Sequence, residues 1–147
     1  MLFATKDTLY NKNITTVSYL LNGLRVGEFV FDDEDVFIDP KHVHFFLMGI
    51  SMKNIHVFED EDGLFHVECL YGRQMLHSVR SYMHDDFALP YSVGLSSLGM
   101  HEYEGKKWSE LWVSQKRYAR HSTVAVSTYF GHSRELVRSL LSEYDLI

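Results

Sequence analysis

Between Asn54 and Val79 the hydrophobic period of the chain changes once, around a glycine, and this change restricts the fold more than any other feature. The stretch "NIHVFEDEDGLFHVEC" holds two alternating runs of β-branched and aromatic residues about a turn that ends in Asp62-Gly63. That pattern predicts a β-hairpin over Asn54–Leu70. Beyond Gly72, "RQMLHSVRSYM" sets Met75, Leu76, Val79 and Met83 at helical spacing. A helix from about Arg73 to His84 would therefore lay an apolar face on the hairpin.

The neighbouring segments extend this unit. "DPKHVHFFLMG" carries Asp39 as N-cap, Pro40 at the first helical position and Gly49 just past the end, which predicts a helix between them. Upstream, Asn13 or Thr15 is expected to cap a helix through "TTVSYLL" that stops at Asn22-Gly23, and "EFVF" and "VFI" read as short strands. Downstream, "FALPYSV" reads as a strand interrupted at its edge by Pro90, "SQKRYARH" as a short basic helix and "STVAVSTYF" as a strand. "SRELVRSLLSEY" then forms a final amphipathic helix capped by Ser133. Strands and helices alternate irregularly about one hairpin, so the expected class is α+β, with a small mixed sheet packed by helices. The 147 residues are expected to form one domain.

Composition narrows the function classes. The apolar fraction of 46% suits a packed globule, and the lone Cys69 excludes an intramolecular disulfide and suits a reducing, cytoplasmic setting. The N-terminus lacks the pattern of a signal peptide, and no apolar run is long enough for a membrane span. Net charge is -6, unevenly spread: residues 1–104 carry 7 Lys and Arg against 16 Asp and Glu, and the remainder carry 7 against 4. Acidic blocks at Asp32, Asp33, Glu34 and Asp35 and at Glu59–Asp62 are ordinarily solvated turns, with an acidic face for a basic partner as the functional alternative. Sequence-specific DNA binding by the monomer is disfavoured, because phosphate contacts need a concentrated basic surface.

A strand that turns through glycine into a helix aims free N–H groups and the positive helix end at whatever lies beyond, a geometry that favours an anion. Gly72 permits close backbone approach, Arg73 adds a guanidinium, Gln74 adds an amide, and Tyr71 could stack on a base or sugar. A plain structural connection is the commoner use of such a glycine. The residues Tyr71–Gln74 are nonetheless the candidate nucleotide or anion site, expected to be open to solvent, with ligand at the Gly72 backbone.

The order of elements here resembles the ParB/sulfiredoxin superfamily, and more closely the ParB-like N-terminal domain of GmrSD-type, modification-dependent restriction proteins. In that family a helix ends in a "G-x-P-I-P-x-I" passage, a hairpin follows, and its second strand runs into "D-G-x-Q-R-L-x-A-I". Gly49 and Ile50–Ile55 resemble the first passage, and Tyr71–Val79 fall on the second without a gap. "GKKWSEL" resembles the family's "G-K-x-[FW]-x-x-L", and the likeness runs from about Ile14 to Phe130. The glycine and glutamine survive as Gly72 and Gln74, but Tyr71 stands at the acidic position and Met75 at the arginine. In the family the signature is associated with nucleotide binding and, in the restriction proteins, with NTP hydrolysis. Without the carboxylate no obvious group orients water or metal, so the resemblance implies binding without efficient turnover. The only cofactor it suggests is a nucleoside triphosphate.

Other chemistry is less well supported. His42 and His44, two apart on a helix, do not share a face, and Cys69 lacks a C-x-x-C partner, so a metal site is not expected. Cys69 ends a strand predicted to be buried, where a thiol is usually inert. It also lies outside the glycine turn, unlike the reactive cysteine of sulfiredoxin's "G-C-H-R". Lys116, Arg117, Arg120, Arg134 and Arg138 form the second charged feature, either a solvated helix surface or a patch for an acidic partner or second copy of the chain. Trp108 and Trp112 read as core anchors. The leading expectation is a catalytically degenerate binding or regulatory protein with a protein partner, of a size and charge that suit a phage or mobile element. The alternatives are an active NTP-hydrolysing relative linked to restriction or partition, and a structural subunit of a larger assembly.

Overall fold

The hairpin lies at the centre of a five-stranded mixed sheet. The computed structural model describes residues 10–32, 36–91, 101–130 and 134–143. The strands are β1 (Tyr10–Thr16), β2 (Phe29–Val30), β3 (Met52–Glu59), β4 (Phe65–Val67) and β5 (Thr123–Tyr129), in the spatial order β1-β5-β3-β4-β2. β5 runs antiparallel to β1 and parallel to β3, β3 runs antiparallel to β4, and β4 runs parallel to β2. The helices are α1 (Val17–Val26), α2 (Pro40–Leu47), α3 (Leu70–Met83), α4 (Val113–Ala119) and α5 (Arg134–Glu143). The chain is thus an α+β fold, as its pattern predicts.

Strand alternation divides the interior in two. Ile55 and Val57 of β3, Val67 of β4 and Val124 and Val126 of β5 point to one face. There they meet Leu20 of α1, Val43, Phe46 and Leu47 of α2, Met75, Leu76 and Val79 of α3, Trp108 and Ala119. Phe58 and Tyr129 point the other way and are covered by Val137 and Leu141 of α5. Both buried faces stabilise by removing apolar surface from water, and the larger core fixes α3 against the hairpin.

The predicted signals around α2 act as expected. Asp39 caps it through a bond from the Lys41 N–H, Pro40 opens it, and Gly49 follows at φ +67°. In the hairpin turn the Asp60 carboxylate accepts the N–H groups of Asp62 and Leu64 and pairs with His66 at 2.8 Å, and Gly63 takes φ +80°. That acidic block therefore shapes a turn.

Three local expectations need correction. Residues 10–16 form β1 rather than the start of a helix, paired with β5 over their whole length. The helix cap is Thr16, whose hydroxyl accepts the Tyr19 N–H, and α1 runs through Gly23 to end at Gly27. Gly23 persists in the helix because a Cβ there would strike the Phe29 ring. The segment "VFI" forms no strand and leaves Phe37 exposed, and residues 87–91 form none either. Trp112 is 66% exposed, so only Trp108 anchors the core. Ser133 lies outside the described residues. No helix among those described is long and apolar enough to cross a membrane.

Candidate functional site

The junction between β4 and α3 is built around Cys69. It caps α3 in an extended conformation, and its Sγ accepts the N–H groups of Gly72 and of His56, each at 3.3 Å. Burial pushes the thiol pKa up. The capping sulfur takes a donor that the helix would otherwise leave free for a ligand. Gly72 itself is buried, and an added Cβ would stand about 3.0 Å from the Ile55 side chain and 2.9 Å from Sγ. The glycine thus lets the first turn of α3 press onto β3. Its backbone faces protein, contrary to the expectation that it lies open to a ligand.

Tyr71 is also committed. Its hydroxyl accepts the Lys53 backbone N–H at 3.1 Å, and its ring stands edge-on to His42 with centroids 5.3 Å apart. The Lys53 ammonium sits 5.7 Å from the ring centroid, and burial raises the phenol pKa. Tyr71 therefore ties the helix start to the edge of α2 and the beginning of β3. Gln74 is half-buried on the next turn.

Arg73 points away from this packing, toward the other face of the sheet. Its guanidinium donates to the Asp32 carbonyl at 3.2 Å. Beside it, Arg134 and Arg138 of α5 both bond the Glu68 carboxylate, Arg138 at 2.7 Å. Glu68 follows β4 on the face occupied by His66, and its side chain is only 1% exposed. The three arginines, Asp32, Val67 and Glu68 enclose a cavity of about 160 Å³. Two of the predicted charged features, the glycine turn and the C-terminal basic helix, thus meet in one place. Cavities for drug-sized ligands span roughly 300–1,000 Å³. This one is smaller, of a size for a carboxylate or phosphoryl group.

The remaining predicted partner residues do not join this cluster. Lys116 and Arg120 lie over the Trp108 ring, each 5.8 Å from its centroid, on the side of the larger core, and Arg117 is exposed. The predicted basic patch is therefore split between the two sides of the sheet. Of the acidic block, Asp32 contributes its carbonyl to Arg73, while Asp33, Glu34 and Asp35 lie outside the described residues.

Sequence reasoning missed Glu68. The available signal was alternation: in "FHVE" Phe65 and Val67 share one face, leaving His66 and Glu68 together on the other. A further polar row lies on that second face, where His56 Nδ1 meets the Tyr129 hydroxyl at 2.9 Å and Ser127 Oγ donates to Asn54 Oδ1 at 3.2 Å. Burial lowers the His56 pKa, so the imidazole there is held neutral. Among the described residues no group of three or more His, Cys, Asp and Glu is placed to hold a metal ion. No family model, curated protein or solved structure matches this chain.

Proposed function

We propose that this chain is a ParB-like domain that works by binding rather than by turnover, engaging a protein partner through an acidic group seated among Arg73, Arg134 and Arg138. The observation that carries this reading is the convergence of those three guanidiniums on a small cavity floored by one buried carboxylate. Guanidinium forks bind carboxylate and phosphate oxygens with charge-assisted hydrogen bonds, and Glu68 holds two of the forks in place. The order of α2, Gly49, the β3–β4 hairpin and α3 supports the ParB-like assignment. Tyr71, committed to Lys53 and His42, supplies no carboxylate to orient water or metal, which supports the absence of turnover.

The test combines calorimetry with a phosphate-release assay. Glutamate-rich peptide, inorganic phosphate and a panel of nucleoside triphosphates are titrated into the parent protein and into Arg73→Ala. The peptide should bind, lose about tenfold or more in affinity in the variant and weaken with added salt, while phosphate release stays at background. Release of more than a few phosphates per minute, abolished by Arg73→Ala, would replace the binding reading with an enzymatic one. Peptide binding that Arg73→Ala leaves unchanged would remove the arginine cavity from the account.

A further inference from the structure

A second and larger cleft opens between α1 and α3, on the opposite side of α3 from the packed glycine turn. Its volume is about 710 Å³, within the range of small-molecule sites. One wall presents Ser18, Asn22 and Arg25 from α1, another His77, Arg80 and His84 from α3, and Arg120 reaches in from the end of α4. Between these polar groups Leu21, Leu24 and Met83 form an apolar strip.

One observation separates this cleft from an ordinary interhelical groove. That observation is charge. The protein is net acidic, yet none of the cleft's three arginines meets a carboxylate among the described residues. Arg25 is held by Asn22 Oδ1 at 2.8 Å, Arg80 lies 5.0 Å from the Phe31 ring centroid, and Arg120 lies over Trp108. These guanidiniums are positioned by neutral groups, and Asp86 is the one carboxylate among the lining residues.

We infer that the α1/α3 cleft binds a phosphate monoester carrying an apolar or aromatic body, of about the size of a mononucleotide. The guanidiniums would take the phosphate oxygens and the apolar strip would take the body. This site is independent of the arginine cavity at Glu68 and needs no partner protein.

The experiment is amide NMR titration with adenosine 5′-monophosphate, 1-naphthyl phosphate, inorganic phosphate and adenosine. At least one monoester should shift resonances of α1 and α3 around Ser18, His77 and His84, with phosphate and adenosine each binding about tenfold or more weaker. Arg25 and Arg120 are exposed, so Arg25→Ala/Arg120→Ala should fold normally and lose those shifts, whereas Arg73→Ala, in the other cavity, should keep them. Arg80→Gln supplies a second probe that removes the third cleft guanidinium and should weaken the monoester. The inference is overturned if neither monoester shifts the cleft at about 10 mM, or if the Arg25/Arg120 variant binds as the parent does.

Discussion

Removing the two sides of the Glu68 cluster should have unequal effects. The Glu68 side chain is 1% exposed, whereas Arg134 and Arg138 are 38% and 49% exposed. In Arg134→Ala/Arg138→Ala the carboxylate stays beneath α5 without either guanidinium bonded to it, with only Arg73 left along the cavity, and breaking a buried pair in this way costs about 3–5 kcal/mol. In Glu68→Ala the two guanidiniums remain, already half in water, and can hydrate. The loss is then two charge-assisted bonds less the desolvation recovered, about 1–2 kcal/mol. The triple variant, which removes the buried charge as well, should recover part of the double variant's loss. Urea unfolding resolves these differences, since at about 2 kcal/mol per molar a gap of that size moves the midpoint by about 1 M. Hydrogen exchange of the α5 amides, measured alongside, separates local undocking of the helix from global unfolding. A double variant no less stable than Glu68→Ala, or a triple variant without recovery, would refute the claim that burial of Glu68 decides the energetics.

Gly72→Ala should destabilise by about 1–2 kcal/mol, because overpacking against Ile55 and the bound Cys69 sulfur outweighs the roughly 1 kcal/mol gained in helix propensity. A midpoint in urea equal to the parent's would show that α3 lifts freely from β3. Burial lowers the pKa of His42, His44 and His56, so the unfolded chain binds more protons as pH falls. Stability should be full above about pH 6.5 and decline below it toward the folded pKa values, and His56→Gln should flatten that decline. An unchanged slope would mean that His56 takes up its proton as readily in the folded state. Cys69, buried and doubly bonded, should resist iodoacetamide in the native protein and react on unfolding, and rapid native alkylation would contradict its capping role.

The parts of the fold legible in the sequence are those where local signals agree with tertiary packing. Asp39, Pro40 and Gly49 mark α2, while alternation about Asp62-Gly63 marks the hairpin. Met75, Leu76 and Val79, all fully buried, mark the inner face of α3. β1 was hidden because it is an edge strand with the sequence "YNKNITT", whose polar residues give no apolar alternation and whose Asn and Thr also suit a helix cap. Its identity comes from pairing with β5, more than a hundred residues away in the chain. The two tryptophans fail for a related reason. Four residues apart, they would share a face in one helix, but Trp108 lies in a short 3₁₀ turn and Trp112 precedes α4.

The candidate site was only half legible for a similar physical reason. A glycine at a strand-to-helix junction serves either a ligand's approach or a strand's, and the residues that decide between them lie elsewhere. Here Ile55 fills the space against Gly72, and the cap belongs to Cys69, whose sulfur occupies the donor a phosphate would use. Arg73 leaves the turn on the far side, where its neighbours come from α5. Arg134 and Arg138 were visible as a pair on one helical face, but Glu68 lies 66 and 70 residues before them. No local pattern joins those positions. Alternation in β4 determines that Glu68 faces α5, and the burial of Val137 and Leu141 on Phe58 and Tyr129 brings the helix over it. The arrangement at the start of α3 therefore depends on how a distant helix docks, and a variant that undocks α5 should lose the arginine cavity while leaving the glycine turn intact.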